Sequence, residues 1–169
     1  MSDSSLRAQT LALWSEHNPA LDTSPMEIVA QIKRISSLLE VAIEPVYAGA
    51  VLTAAEVELL VPLRYADAAV TAIRLAELLG MSRAGVSKTL ANLERKGMIS
   101  RTTNPADRRS TLIALSDAGM SAVDDMFPRE LEAHASLLAG LANKRKKVLA
   151  ALNDLAEAME SPLNLPKGS

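Results

Sequence analysis

Ser82-Arg83-Ala84-Gly85-Val86-Ser87-Lys88 opens the stretch, residues 82–115, whose reading decides the fold. A serine before an apolar-periodic segment is a helix N-cap. Val86, Leu90 and Leu93 follow at i, i+4 and i+7, the spacing of one buried helix face. Lys96-Gly97 stops that helix. Beyond it, the strand-like residues 99–103 and 110–115 flank the charged loop Asn104-Pro105-Ala106-Asp107-Arg108-Arg109. Upstream, Thr71 caps a short helix over residues 72–79 and Gly80 terminates it. Met81 makes the turn into Ser82. Two short helices joined through a glycine and a small polar cap have the anatomy of a helix-turn-helix, here followed by a hairpin.

Charge gives this region a partner. Residues 71–109 hold eight basic side chains (Arg74, Arg83, Lys88, Arg95, Lys96, Arg101, Arg108, Arg109) and three acidic ones (Glu77, Glu94, Asp107), a local charge of +5. The whole chain carries −2, so the remainder carries −7. A cationic island in an anionic protein is the mark of a polyanion-binding surface. Trp14, Tyr47, Tyr65 and Phe127 are the only aromatics, and none lies in the island. Single-strand binders stack bases on aromatic platforms, so double-stranded DNA is the expected ligand.

The 169 residues suit one domain or two small ones sharing a core, and 22% charged residues with a net −2 place the chain far from the disordered class. There is no cysteine, which excludes disulfides, thiolate metal sites and cysteine nucleophiles. Met1-Ser2-Asp3-Ser4-Ser5 lacks the basic start and apolar run of a signal peptide, and charges or prolines interrupt every apolar stretch. A cytoplasmic protein without a membrane segment is the expectation.

Outward from the island the chain reads as helices. Residues 4–17 form a short one with Leu6, Leu11, Leu13 and Trp14, ended by Asn18-Pro19. After the turn at Asp22-Thr23-Ser24-Pro25, residues 26–47 repeat Ile28, Ile32, Ile35, Leu39, Ala42, Ile43 and Val46 at helical spacing. Thr53-Ala54-Ala55-Glu56 is a capping box that predicts a helix of about 12 residues toward Tyr65. Ser116 caps a long helix running toward Gly140 through Pro128, and Asn143 opens the last helix. Pro162 and Pro166 finish the folded part; Gly168-Ser169 is excluded as a possible cloning scar. The fold class is mainly α with a small β wing: a winged helix-turn-helix over residues 51–116, flanked by dimerisation helices over 1–50 and 117–161 and by a tail over 162–169.

On the helix after Ser82, the buried stripe leaves Ala84, Ser87, Lys88, Ala91 and Arg95 facing outward. Small residues permit close approach to a groove, while Lys, Arg and Ser reach phosphates or base edges. The helix N-terminus at Ser82 and Arg83 favours a phosphate. Arg108 and Arg109 at the hairpin tip suit phosphates or a narrow minor groove. The candidate DNA-binding residues are Ser82, Arg83, Ala84, Ser87, Lys88, Asn92, Arg108 and Arg109, with Asp107 bracing an arginine by a bidentate contact. Taken alone, the helix reads equally as a solvated surface helix; the neighbouring helix, the charge island and the wing decide against that.

Leu75-Ala76-Glu77-Leu78-Leu79-Gly80-Met81-Ser82-Arg83, Leu93-Glu94-Arg95-Lys96-Gly97-Met98-Ile99, the loop through Arg109, and Leu115-Ser116-Asp117-Ala118-Gly119 together resemble the MarR family of winged-helix regulators. Helix order extends the likeness over residues 26–159. The resemblance implies a homodimer built from N- and C-terminal helices, the helix after Ser82 in the major groove and Arg109 in the minor groove, braced by Asp107. It implies transcriptional repression of a pseudo-palindromic operator, relieved when a small aromatic or phenolic ligand binds. From the residues themselves, no catalytic residue, metal or cofactor is expected. Lacking cysteine, the chain cannot use the thiol-oxidation switch of the family's peroxide sensors.

Other motifs carry less. His17 and His134 lie far apart with no ligand spacing around them, so solvated or capping roles are expected. Lys144-Arg145-Lys146-Lys147 stands at a helix start, where the macrodipole disfavours cations, and reads as a solvated end. Tyr47, Arg64 and Tyr65 line a ligand cleft or pack the core; the methionines fill the core. The rival readings are a winged helix used only for protein–protein contact, which has no need of Arg108 and Arg109 on a loop, and a small enzyme, for which no catalytic constellation is present.

Overall fold

Capping chemistry sets most of the element boundaries. The structure, a computed structural model, describes residues 3–163. In chain order the elements are α1 (Asp3–His17), α2 (Pro25–Tyr47), α3 (Ala54–Leu60), β1 (Val70–Thr71), α4 (Ala72–Leu79), α5 (Arg83–Arg95), β2 (Ile99–Thr103), β3 (Thr111–Leu115), α6 (Asp117–Leu138) and α7 (Arg145–Glu160). The chain divides into two compact units, the first ending at His134 and the second starting at Ala135.

α3 opens with the expected capping box: Thr53 Oγ1 accepts from the Glu56 amide, and the Glu56 carboxylate accepts from the Thr53 amide. It is shorter than expected. Pro62 has no N–H to continue the helical ladder, so the helix stops at Leu60 and tightens into a 3₁₀ turn, Val61–Leu63. α4 and α5 end alike. Gly80 at φ +61° brings the Met81 amide onto the Ala76 carbonyl at 3.0 Å, and Gly97 at φ +71° brings the Met98 amide onto the Leu93 carbonyl at 2.9 Å. A left-handed residue of this kind is accessible to glycine at little cost.

The wing is a sheet rather than a lone hairpin. β2 and β3 pair antiparallel with Ile99 opposite Leu115 and Thr103 opposite Thr111. β1 adds to the other edge of β3, with Val70 opposite Ile113, giving the order β1-β3-β2. Two residues are too few to show a period, so this third strand has no signature in the sequence.

The core lies between the helix-turn-helix and the wing. Val86, Leu90 and Leu93 of α5 are fully buried with Leu75 of α4, Val57, Leu59 and Leu60 of α3, and Ile113 of β3; α6 contributes Val123 and Met126. α2 and α7 bury no residue within the chain. α6 runs through Pro128 without interruption. The last helix starts two residues later than Asn143 suggested: residues 139–144 are 3₁₀-like, and Lys144 occupies the N-cap without a side-chain cap. Met159 is exposed rather than core, and residues 164–169, Pro166 among them, lie outside the described residues.

Candidate nucleic-acid interface

α5 presents the face its apolar stripe leaves free. Ser82, Arg83, Ala84, Ser87, Lys88 and Ala91 are all exposed, opposite the buried Val86, Leu90 and Leu93. Ser82 Oγ accepts from the Gly85 amide at 3.1 Å, which leaves its hydroxyl proton free to donate outward. Asn92 is half-buried, and its amide oxygen accepts from Arg95 Nη2. It sits at the edge of the face, engaged with a neighbour.

The wing tip is pinned by its own polar groups. The Asn104 amide donates to the Ser110 carbonyl at 3.1 Å, Asn104 Oδ1 accepts from the Ala106 amide at 3.0 Å, and Ser110 Oγ donates to the Asp107 carbonyl at 3.0 Å. Asp107 Oδ1 accepts from the Arg109 amide at 3.0 Å. The brace expected between Asp107 and a guanidinium is thus an Asx turn to the backbone. It fixes the path of the tip while Arg108 and Arg109 stay exposed.

Ion pairing sorts the basic island into two sets. Arg74 pairs with Glu77 at 3.5 Å, Lys96 with Glu56 at 2.7 Å and Arg101 with Glu94 at 3.0 Å. Among the described residues, Arg83, Lys88, Arg95, Arg108 and Arg109 have no acidic partner, and all five are exposed. They lie on α5 and at the wing tip.

A family model described as the MarR family matches residues 52–111. Among curated proteins, the HTH-type transcriptional regulator PecS of Dickeya dadantii is 28% identical over 141 residues, spanning 82% of this chain and 85% of PecS. Among solved structures, Sco3205 of Streptomyces coelicolor, a MarR-family transcriptional regulator in complex with DNA, superposes with a TM-score of 0.71 at 20% identity over 82% of this chain and 89% of that one. Bordetella bronchiseptica BpsR, whose DNA binding is regulated by 6-hydroxynicotinic acid, superposes with a TM-score of 0.69 at 21% identity over 77% and 98% of the two chains. Residues 52–111 thus match the MarR family model, and the fold is that of the solved MarR-family regulators.

The Leu115–Gly119 motif has a mechanical basis that its sequence did not disclose. The Ser116 amide donates to the Met98 carbonyl at 3.0 Å. Ser116 Oγ donates to the Gly97 carbonyl at 2.6 Å and accepts from the Gly119 amide at 3.0 Å. A Cβ on Gly119 would stand 2.0 Å from the Met98 carbonyl oxygen. The start of α6 is therefore seated directly on the turn that ends α5. The Ser-x-x-Gly spacing was visible; its distant contact on the turn was not.

Two further links join α6 to its neighbours within the first unit. Arg64 Nε and Nη2 bind both Asp124 oxygens at 2.7 and 2.8 Å, and the pair holds the Asp124 carboxyl below its ordinary pKa. Tyr47 donates its hydroxyl to Glu130, and burial together with that carboxylate pushes the phenol's pKa well up. Tyr65 is not packed in the core: it is 83% exposed, with the Arg64 guanidinium 4.7 Å from its ring centroid. His17 hydrogen-bonds through Nδ1 to the Leu13 carbonyl at 2.9 Å, a helix-end role. No described helix is long and apolar enough to cross a membrane.

Proposed function

We propose that the protein is a ligand-responsive repressor that binds a pseudo-palindromic operator as a homodimer. The observation that carries this reading is the gathering of five exposed cations without acidic partners on α5 and the wing tip. Residues 51–116 form the DNA-binding part. Ser82, Arg83, Ala84, Ser87, Lys88 and Asn92 work at the major groove, with Ser87 and Lys88 reading bases and the cap and Arg83 engaging phosphate. Arg108 and Arg109 reach the backbone and the adjacent minor groove, and Asp107 holds the loop that carries them. Residues 1–50 and 117–161 supply the dimer contacts, which places two half-sites about one helical turn apart. BpsR answers to 6-hydroxynicotinic acid; by that likeness the effector here is a small aromatic or phenolic molecule.

Arg109→Ala tests the wing. It should weaken selected and unselected duplexes alike and flatten the plot of log affinity against log salt by about 0.9 for each phosphate no longer neutralised. Unchanged affinity and slope would remove the wing from the interface. Lys88→Ala and Ser87→Ala should shift the preferred sequence in a binding-site selection, and an unaltered preference would contradict base reading by α5. For the effector, a thermal-shift series of phenolic and hydroxypyridine acids should return one that raises the melting point by mass action and also releases DNA.

A further inference from the structure

Lys96 belongs by charge to the basic island, yet its ammonium is bound by groups of the protein itself. Its Nζ donates to Glu56 Oε1 at 2.9 Å, to Glu56 Oε2 at 2.7 Å and to the Val51 carbonyl at 2.8 Å. An ammonium has three N–H donors and no acceptor, and these contacts tie it to the start of α3 and to the segment before it. Glu56 is only 4% exposed and is held from its other side by Thr53, whose amide donates at 2.9 Å and whose hydroxyl donates at 3.2 Å. Lys96 is the residue that caps α5 at its C-terminal end. Glu56 and Thr53 form the first turn of α3, and Val51 lies in the segment that leads from α2 into it.

We infer that Lys96 is a positioning residue of the DNA interface rather than a phosphate contact: with Glu56 and the Val51 carbonyl it fixes the angle at which α5 meets the groove. The near end of α5 is set by the Ser82 cap and the Gly80 turn, the middle by Val86, Leu90 and Leu93. At the far end the Ser116 bonds hold the Gly97–Met98 turn from the α6 side, and the Lys96 tether holds it from the α3 side. Without the tether the α3 side of that end is left to apolar packing, which tolerates a small swing. A swing of that kind misaligns hydrogen bonds to base edges, which are directional, far more than it changes the attraction of exposed cations to phosphates. The inference rests on the DNA-binding reading of α5.

The test uses the full-length chain, a duplex chosen from a random library by the wild-type protein, and a mixed-sequence duplex as the unselected reference. Affinities for both are measured across a salt series for Lys96→Met and for the Glu56→Gln/Lys96→Met double variant. The double variant removes both charges together and so avoids stranding a buried carboxylate; circular dichroism melts follow folding, and if Lys96→Met does not fold the double variant decides. The expected result is a loss of preference for the selected duplex of about ten- to a hundredfold, with the salt slope and the affinity for unselected DNA unchanged. A slope flattened by about 0.9 together with weaker unselected binding would make Lys96 a phosphate contact and overturn the inference, as would wild-type preference in both variants. A wild-type protein that selects no duplex would overturn the DNA-binding reading beneath it.

Discussion

The segment from Leu52 to Met126 and the helices on either side of it solve the burial of apolar surface differently. In the first, α3, α4, α5, the wing and the first turns of α6 close on one another, and eight large side chains are fully buried. In the second, the apolar stripes face out. Ile28, Ile35, Leu38 and Val41 on α2 are about half exposed or more, as are Leu149, Leu152 and Met159 on α7. Exposed apolar residues on this scale mark a surface that meets a partner. The middle segment buries its apolar faces within its own chain; the outer helices leave theirs open, and a second copy is the occupant that the proposed dimer supplies.

The largest effect should separate these two regions by concentration dependence. Leu90→Ala removes a fully buried side chain from the closed core and should cost about 2–5 kcal/mol. In urea melts that loss should be the same at low and high protein concentration. Ile35→Asp on the open face of α2 should leave the stability of the isolated chain little changed and instead shift the protein from dimer to monomer. Sedimentation would show this, and operator affinity would fall with it. An Ile35→Asp protein that sediments as the wild type would take α2 out of the dimer contact.

A smaller effect, still within the closed region, is expected from Gly119→Ala. The added methyl would stand 2.0 Å from the Met98 carbonyl oxygen and 3.1 Å from Leu115 Cδ2. Backbone cannot yield as a flexible side chain does, so α6 must shift away from the turn it sits on, at about 1–3 kcal/mol. Gly140→Ala is the control, since a Cβ there meets nothing within 4 Å and its φ is ordinary. Equal melting points for the two variants would mean that α6 is not held against Met98.

How much of this was legible in the chain follows from the range of the interactions. Caps and stops were readable because each is settled within about four residues: Thr53, Thr71, Ser82 and Ser116 all cap where the sequence placed them. The buried stripe of α5 was readable from its period. β1 was not, because its pairing is with Ile113 and Leu112, some forty residues away. The same reason hid the fate of Lys96, which the sequence counts as one of eight equivalent cations and which folding pairs with a glutamate 40 positions away. Asp107 accepts from the Arg109 amide, a choice that residue types alone do not reveal, because a side chain can satisfy a nearby amide as readily as a guanidinium. Net charge singled out the region; only the ion pairs separate its unpaired cations from those that hold the fold.

The smallest expected effect concerns acid. Burial by itself would raise the Glu56 pKa, but the hydrogen bonds from Lys96 and Thr53 outweigh it and hold the carboxyl below its ordinary value. A group whose folded-state pKa is lowered stabilises the fold above its unfolded pKa, and that contribution fades as pH falls toward the folded value. Glu56 should therefore contribute fully at neutral pH, begin to fade near the ordinary glutamate pKa of 4.5, and contribute nothing once protonated in both states. Glu56→Gln isolates it from the other carboxylates. Wild type and variant should differ in unfolding free energy at pH 7, and the difference should shrink steadily as the solution is acidified below that value. A difference that stays constant with pH would mean that the Glu56 charge does not hold the start of α3 to the end of α5, and that the joint rests on the apolar contacts around it.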